Sequence, residues 1–208
     1  MDRGARLMTP SLLLTFATYA FVTSITPGPN NAMVLASGLN FGFRRTIPHL
    51  LGINLGFSAM VLAVGLGLGG VFTAWPVLHD VLRYVGALYL VYLAWKIARS
   101  GTTADGAAAA RPMSFAQAAA FQWVNPKAWI MAIGAVATYT PQNGFFLNIV
   151  VVTVVFALIN GPCIAAWAGF GVVLRRVLTG ARSQRIFNLA MATLLVLSLA
   201  PILFDSLK

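Results

Sequence analysis

Acidic residues are almost absent from this 208-residue sequence, which has four aspartates and no glutamate. None of the aspartates lies in the middle of an apolar run; they are Asp2, Asp80, Asp105 and Asp205. The paired carboxylates of acid–base catalysis are therefore missing. A single cysteine, Cys163, excludes a disulfide framework and a thiolate metal site. We expect no enzyme, no cofactor and no metal ion.

Charged residues of either sign are also scarce, at 9% of the sequence, against 59% hydrophobic residues. Soluble domains carry about 25% charged residues, so water is not the main solvent of this chain. A formal charge of +10 would suggest nucleic acid in a soluble protein. Here the basic residues lie in connections between apolar runs, where they set orientation in a membrane. We expect membrane lipid around the chain and no nucleic-acid partner.

Six apolar runs predict an all-α, polytopic membrane protein with six transmembrane helices, each needing about 20 apolar residues. Five runs are long enough, although the second borrows length from its flanks: Ile47–Trp75, Val81–Trp95, Met113–Tyr139, Phe145–Leu174 and Ile186–Leu203. The sixth run, Pro10–Leu39, is interrupted by prolines and crosses as a broken helix. Arg3 and Arg6 before an apolar stretch also fit a secretory signal. No convincing cleavage site follows, so we expect a retained first span.

The connections between the runs predict orientation and two halves. The side with both termini carries four basic residues, and the other side carries nine: Arg44, Arg45, Lys96, Arg99, Arg111, Arg175, Arg176, Arg182 and Arg185. The positive-inside rule makes the second side cytoplasmic and both termini periplasmic. Residues 100–112 form a predicted flexible linker between halves 9–99 and 113–206 of one transporter domain. Three spans per half give opposite polarity, the topology of a 3+3 inverted repeat.

The first span of each half is predicted to break at proline. The first break is Thr26-Pro27-Gly28-Pro29-Asn30-Asn31, and the second is Asn125-Pro126-Lys127. Thr9-Pro10 and Ser114-x-x-Gln117 are predicted to cap the starts of these two spans. Irregular backbone survives at membrane depth only when it is buried in protein or lines a cavity. Simple proline kinks are the alternative, but two breaks at matching positions favour a binding site.

Polar side chains inside the spans are the candidate substrate-binding residues. Lys127 is the one charge well inside an apolar run, and it fits ligand contact or proton coupling. Alternatively, Lys127 reaches an interface or satisfies carbonyls of the broken helix. Further candidates, which also fit simple interhelical hydrogen bonding, are Asn54, Gln122 and Asn160. Asn160-Gly161-Pro162 could also loosen the fifth span. His49 is a second candidate for proton coupling, although an interfacial histidine is the simpler explanation.

Several of these motifs together carry a family resemblance. They are Ile25-Thr-Pro-Gly-Pro-Asn-Asn31, Gly42-Phe-Arg-Arg45, Gly52, Ala94-Trp-Lys96 and Asn125-Pro-Lys127. Over essentially the whole chain, the pattern resembles the LysE/RhtB family of amino-acid exporters. Within it, the chain looks most similar to the cysteine/O-acetylserine and homoserine exporter branch. The resemblance implies efflux of amino acids or close derivatives across the bacterial inner membrane, driven by proton antiport.

Lys127 also bears on the substrate. RhtB-like members resemble this chain in having a lysine at this position. Its positive charge would repel a basic substrate side chain, so the resemblance implies a neutral or homoserine-like substrate. The predicted mechanism is alternating access around a midplane site formed by residues 27–31 and 125–127. Half-helix N-termini and Lys127 hold the substrate carboxylate, while Asn30, Asn31, Asn125 and unwound carbonyls receive its ammonium. A passive small-solute channel is the alternative, a membrane-embedded enzyme is a third, and a homodimer is left open.

Overall fold

A computed structural model describes residues 7–68, 76–99 and 111–199, and within these ranges every regular element is a helix. The all-α prediction is therefore confirmed for the described chain. The helices are α1 (Pro10–Ile25), α2 (Pro29–Phe41), α3 (Phe43–Ala63), α4 (Pro76–Ala98), α5 (Phe115–Gln122), α6 (Pro126–Tyr139), α7 (Phe145–Val177) and α8 (Ala181–Leu197). A π-helical turn, Val64–Leu68, extends α3.

Two of these helices are long and apolar enough to cross a membrane alone: α3 with its π-helical turn, and α7. A third crossing is formed if α1 and α2, which are bent by 55° at their junction, count as one broken span. The apolar part of α4, Tyr84–Ala98, is shorter. Large apolar side chains such as Leu14 and Leu158 point outward, as a lipid-facing surface requires. Six spans in a 3+3 repeat remain a prediction, and residues 100–110 of the linker lie outside the described ranges.

Both helix breaks lie where the prolines predict them. α1 ends at Ile25, and α2 begins with Pro29 in its first turn. α5 ends at Gln122, and α6 begins with Pro126 in its first turn. Proline suits this position because its missing N–H would have no partner there. The predicted starts are also confirmed, since Thr9 caps α1 and Ser114 forms a capping box with Gln117.

Each broken pair packs mainly on one long helix: α1 and α2 on α7, and α5 and α6 on α3. The remaining pair is α4 on α8. Small residues permit this closeness: a Cβ added at Gly56 would lie 2.5 Å from the Cα of Ala119, and one at Gly38 would clash with the carbonyl oxygen of Ala168. These contacts bring the two breaks together in the interior.

The helix does not break at Asn160-Gly161-Pro162, the sequence that could loosen the fifth span. α7 runs as one continuous helix from Phe145 to Val177, with Pro162 inside it. Neighbouring helices pack along α7 on several sides, and such neighbours let a transmembrane helix tolerate proline. The unbroken α7 therefore forms one continuous side of the interior beside the two breaks.

Two apolar clusters divide the interior at the level of the breaks. The first includes Met33 of α2 and Phe121 of α5, while the second includes Phe16 of α1 and Ala128 of α6. In the second cluster, the Phe156 ring lies 5.5 Å from that of Phe16, centroid to centroid, in an edge-to-face arrangement. At each break the chain therefore passes from one apolar cluster to the other. The polar groups of both breaks lie at the boundary between the two clusters.

Candidate functional site

The two breaks meet at a small polar cavity of about 20 Å³, here named the break cavity. Its polar lining includes Ser24, Gly28, Asn30, Asn31, Asn125, Lys127 and Asn160. Most of the predicted site residues are therefore brought together. A cavity needs roughly 10–15 Å³ to hold one water molecule, so the break cavity is closed to an amino-acid-sized molecule in this conformation.

Lys127 joins the two breaks through its ammonium group. Its Nζ donates hydrogen bonds to the carbonyl oxygens of Thr26 at 2.7 Å and Pro27 at 3.3 Å, and to Thr26 Oγ1 at 3.0 Å. Carbonyls at the end of a helix lack partners within that helix, so Lys127 of α6 completes the end of α1. The predicted alternative, in which Lys127 satisfies carbonyls of a broken helix, is what the structure shows.

Gly28 makes room for this lysine. A Cβ added at Gly28 would lie 2.7 Å from Lys127 Cδ and 3.1 Å from Nζ. The backbone at Gly28 is extended, with φ of −175°, so the glycine is needed for space and not for its torsion angles. The Pro-Gly-Pro sequence of the first break thus fits the lysine of the second.

Asn31 completes the same helix end from the other direction. Its Nδ2 donates to the carbonyl oxygens of Ser24 at 2.9 Å and Thr26 at 2.8 Å, and its side chain is 3% exposed. Five hydrogen bonds, from Asn31 and Lys127 together, hold the end of α1. The carbonyls that we expected to receive a substrate ammonium are therefore occupied in the closed conformation.

The two half-helix N-termini differ in their caps. Asn125 Oδ1 accepts from the backbone N–H of Lys127 at 3.2 Å and so caps α6. Gly28, the N-cap residue of α2, has no side chain and forms no such bond. Of the two N-termini, α2 is the one that offers backbone N–H groups and a positive dipole end without a side-chain cap.

Gln122 lies beside the break cavity and links α5 to α2. Asn30 Nδ2 donates to Gln122 Oε1 at 2.8 Å, and Gln122 Nε2 donates to Asn30 Oδ1 at 3.2 Å. Gln122 also donates to the Ala118 carbonyl oxygen at 2.9 Å and is fully buried. This reciprocal amide pair joins Asn30, the second residue of α2, to Gln122, the last residue of α5.

Asn54 of α3 and Asn160 of α7 connect these two helices. Asn160 Nδ2 donates to Asn54 Oδ1 at 3.0 Å, and Asn54 Nδ2 donates to the Ala157 carbonyl oxygen at 3.2 Å. Asn160 lines the break cavity, whereas Asn54 is not part of the lining and contacts it through Asn160. The interhelical hydrogen bonding considered for these residues is present.

His49 lies apart from the break cavity. We expected an interfacial histidine, but its side chain is 2% exposed and lines a different cavity. The two candidates for proton coupling, His49 and Lys127, therefore do not share a site. Among the described residues, no group of three or more histidine, cysteine or acidic side chains is placed to hold a metal ion.

Sequence reasoning missed Ser24 and Thr26. Thr26 supplies two acceptors to Lys127. Ser24 is 3% exposed and lines the break cavity, and within the described chain its Oγ has no hydrogen-bond partner. Ser24 is the last polar residue before the first predicted break and Thr26 is the first residue of that break, and these positions were the available signal.

Comparison with known proteins supplies the family. A family model described as "LysE type translocator" matches residues 21–202. The chain belongs to the LysE type translocator family. Members of this family are transporters, so the expectation that the chain is not an enzyme is confirmed, as is the resemblance to LysE/RhtB exporters.

Individual relatives also align with nearly the whole of this LysE-family chain. Proteins named "Cysteine/O-acetylserine efflux protein" from Escherichia coli, Shigella sonnei and Shigella flexneri are each 38% identical over 191 residues. The aligned region is 91% of this chain and 96% of each relative. No solved structure matches the chain.

Proposed function

We propose that this LysE-family transporter exports neutral amino acids or close derivatives, such as cysteine, O-acetylserine or a homoserine-like compound, across the bacterial inner membrane. The names of its relatives support this substrate class. The described lining of the break cavity supports it independently, since it contains one cation, several amides and no acidic side chain. Such a lining suits a small molecule that carries one carboxylate.

The observation that carries the proposal is the position of the Lys127 ammonium on the Thr26 and Pro27 carbonyl oxygens. A bound zwitterionic amino acid replaces this contact with two new ones, one to the ammonium and one to the carbonyl oxygens. The substrate carboxylate takes the Lys127 ammonium and the uncapped N-terminus of α2, and the substrate ammonium takes the released carbonyls. Ser24 Oγ, which has no hydrogen-bond partner among the described residues, gives the substrate a further one. Because each charge keeps a partner, no bare charge is left in the membrane interior.

Lys127 also selects against basic substrates. A second cation within a few ångströms of its ammonium is strongly repelled at low effective dielectric. Neutral side chains avoid this repulsion and contact the apolar side of the break cavity, formed by Phe57 and Met131.

Transport requires the closed cavity to open, and the fold supports alternating access. The 55° bend between α1 and α2 provides a joint, and each broken pair packs on the other half. Rocking of two inverted three-span halves about the breaks exposes the site to either side in turn. Both termini lie in the periplasm in this arrangement. A dimer is not needed for it.

Proton antiport supplies the driving force, with Lys127 or His49 as the group that takes the proton. In proteoliposomes, an imposed proton gradient should drive accumulation of labelled substrate, and a protonophore should abolish it. Transport that changes neither with the proton gradient nor with the protonophore would contradict antiport, while the substrate proposal would stand.

The test of the site is amino-acid uptake into inside-out membrane vesicles. Lys127→Met and Asn31→Ala should abolish uptake at membrane levels equal to wild type. Arg185→Gln is the matched control, because it removes one exposed cation that lines neither cavity. Normal uptake by Lys127→Met would overturn the site. Counterflow separates the channel alternative, since a carrier exchanges labelled for unlabelled substrate and an open pore does not.

A further inference from the structure

A second and larger cavity lies beside α2, away from the break cavity. Its volume is about 210 Å³, and it is lined by α2, the end of α4, His49 of α3 and the residues that lead into α5. One water molecule takes about 30 Å³ in the liquid. The second cavity therefore has room for a small amino acid, which the break cavity lacks in this conformation.

The rim of the second cavity is cationic. Lys96, Arg99 and Arg111 line it and are exposed, and its lining within the described chain includes no acidic side chain. The Arg99 guanidinium is positioned over the Trp95 ring, 4.7 Å from the ring centroid, which fixes its direction. Three cations around one concave opening raise the local concentration of anions.

The interior of the second cavity contains a polar group without a partner. His49 is 2% exposed, and in the described structure neither Nδ1 nor Nε2 has a hydrogen-bond partner. Buried polar atoms are paired in most proteins, so an orphaned ring points to a ligand or water. This observation is independent of the charged rim.

The second cavity reaches to within one helical turn of the first. Its lining on α2 begins at Met33, three residues after Asn30, which is roughly 4.5 Å along the helix. Asn30 lines the break cavity and is bonded to Gln122. The Asn30–Gln122 pair therefore lies about one helical turn from the lining of the second cavity on α2.

We propose that the second cavity is a loading site that binds the carboxylate of the exported amino acid between its cationic rim and His49, before the solute passes the Asn30–Gln122 pair into the break cavity. The proposal rests on the proposed function and assigns a second site to the same substrate. The basic rim lies on the side for which the positive-inside rule predicts the cytoplasm, the side from which an exporter takes its cargo.

The first experiment is uptake into inside-out vesicles by the double variant Arg99→Gln/Arg111→Gln. Its KM should rise about five- to tenfold at low salt with the maximal rate unchanged, and the difference should shrink at about 0.5 M salt, where charges are screened. Arg185→Gln, the control, should leave KM unchanged. An unchanged KM in the double variant would overturn the loading site.

Further outcomes distinguish the loading site from lipid-headgroup binding and from the proposed function. If the KM effect disappears in reconstituted vesicles of purely zwitterionic lipid, the rim binds lipid headgroups, and the loading site is wrong. If Lys127→Met abolishes uptake while the rim variant behaves as wild type, the proposed function survives and the loading site fails. A wild-type protein that exports no amino acid overturns the proposed function itself.

A thiol placed in the cavity tests occupancy directly. Ile97 lines the second cavity and is partly exposed, whereas the native Cys163 is buried. Ile97→Cys should react at least about fivefold faster with an anionic than with a cationic methanethiosulfonate reagent, since the rim attracts anions. Substrate should slow the reaction, and the rim double variant should remove the preference. Equal rates with both reagents, or no protection by substrate, would contradict the proposal.

Discussion

Exchanging Asn30 and Gln122 for alanine, singly and together, measures how strongly their amide pair joins the two breaks. The pair forms two hydrogen bonds, at 2.8 and 3.2 Å, between α2 and α5. Interhelical hydrogen bonds in membrane proteins contribute about 0.6 kcal/mol each on average and about 1.7 kcal/mol at most. We therefore expect a coupling free energy of about 1–2 kcal/mol from the double-mutant cycle.

The cycle is needed because the single variants lose more than this pair. Gln122→Ala also removes a bond to the Ala118 carbonyl oxygen and the packing of a fully buried side chain, and both losses cancel in the coupling. The assay is unfolding of the purified protein in mild detergent by added dodecyl sulfate.

A matched control cycle combines Gln122→Ala with Asn40→Ala. Asn40 is on the same helix as Asn30, ten residues and roughly 15 Å further along, and bonds to Asn188 instead. This second pair should be additive within about 0.5 kcal/mol. A coupling for Asn30 and Gln122 no larger than the control would refute the view that the amide pair joins the breaks.

Two glycines give further predictions with one shared control, Gly169→Ala, where the added Cβ meets no atom within 4 Å among the described residues, apart from its own helix backbone. Gly28→Ala should leave the protein folded, because the flexible Lys127 side chain can move, but should reduce substrate uptake at least about tenfold. Uptake equal to the control would contradict the role of Gly28. Gly56→Val should lower stability in detergent by about 2 kcal/mol or more, because its Cβ meets the α5 backbone at Ala119. A stability equal to the control would show that α3 and α5 do not pack this closely.

Prolines made the breaks predictable from the sequence. Pro29 and Pro126 each remove a backbone donor and begin a half-helix, so both breaks were located to within a residue or two. Thr9 and Ser114 likewise mark helix starts through local hydrogen bonds. These are properties of neighbouring residues, which a sequence displays directly.

The hydrogen-bond partners were not predictable, because they join residues far apart in the chain. Lys127 bonds to Thr26, 101 positions away, and no local pattern encodes that distance. The same holds for His49: its place at the start of a span suggested an interface, whereas α2, α4 and the residues before α5 enclose it in the second cavity. Pro162 lies inside the continuous α7, because the helices that pack against α7 let it tolerate a proline.

The most direct measurement of the central claim, that Lys127 binds the substrate carboxylate, compares equilibrium binding of cysteine and cysteinamide to wild type and Lys127→Met. Removing one partner of a buried charge pair costs about 2–5 kcal/mol, so wild type should bind cysteine at least about 30-fold more tightly than the amide. Lys127→Met should bind both about equally weakly. If Lys127→Met keeps the full preference for the carboxylate, Lys127 does not contact it, and the account of the break cavity as the substrate site is wrong.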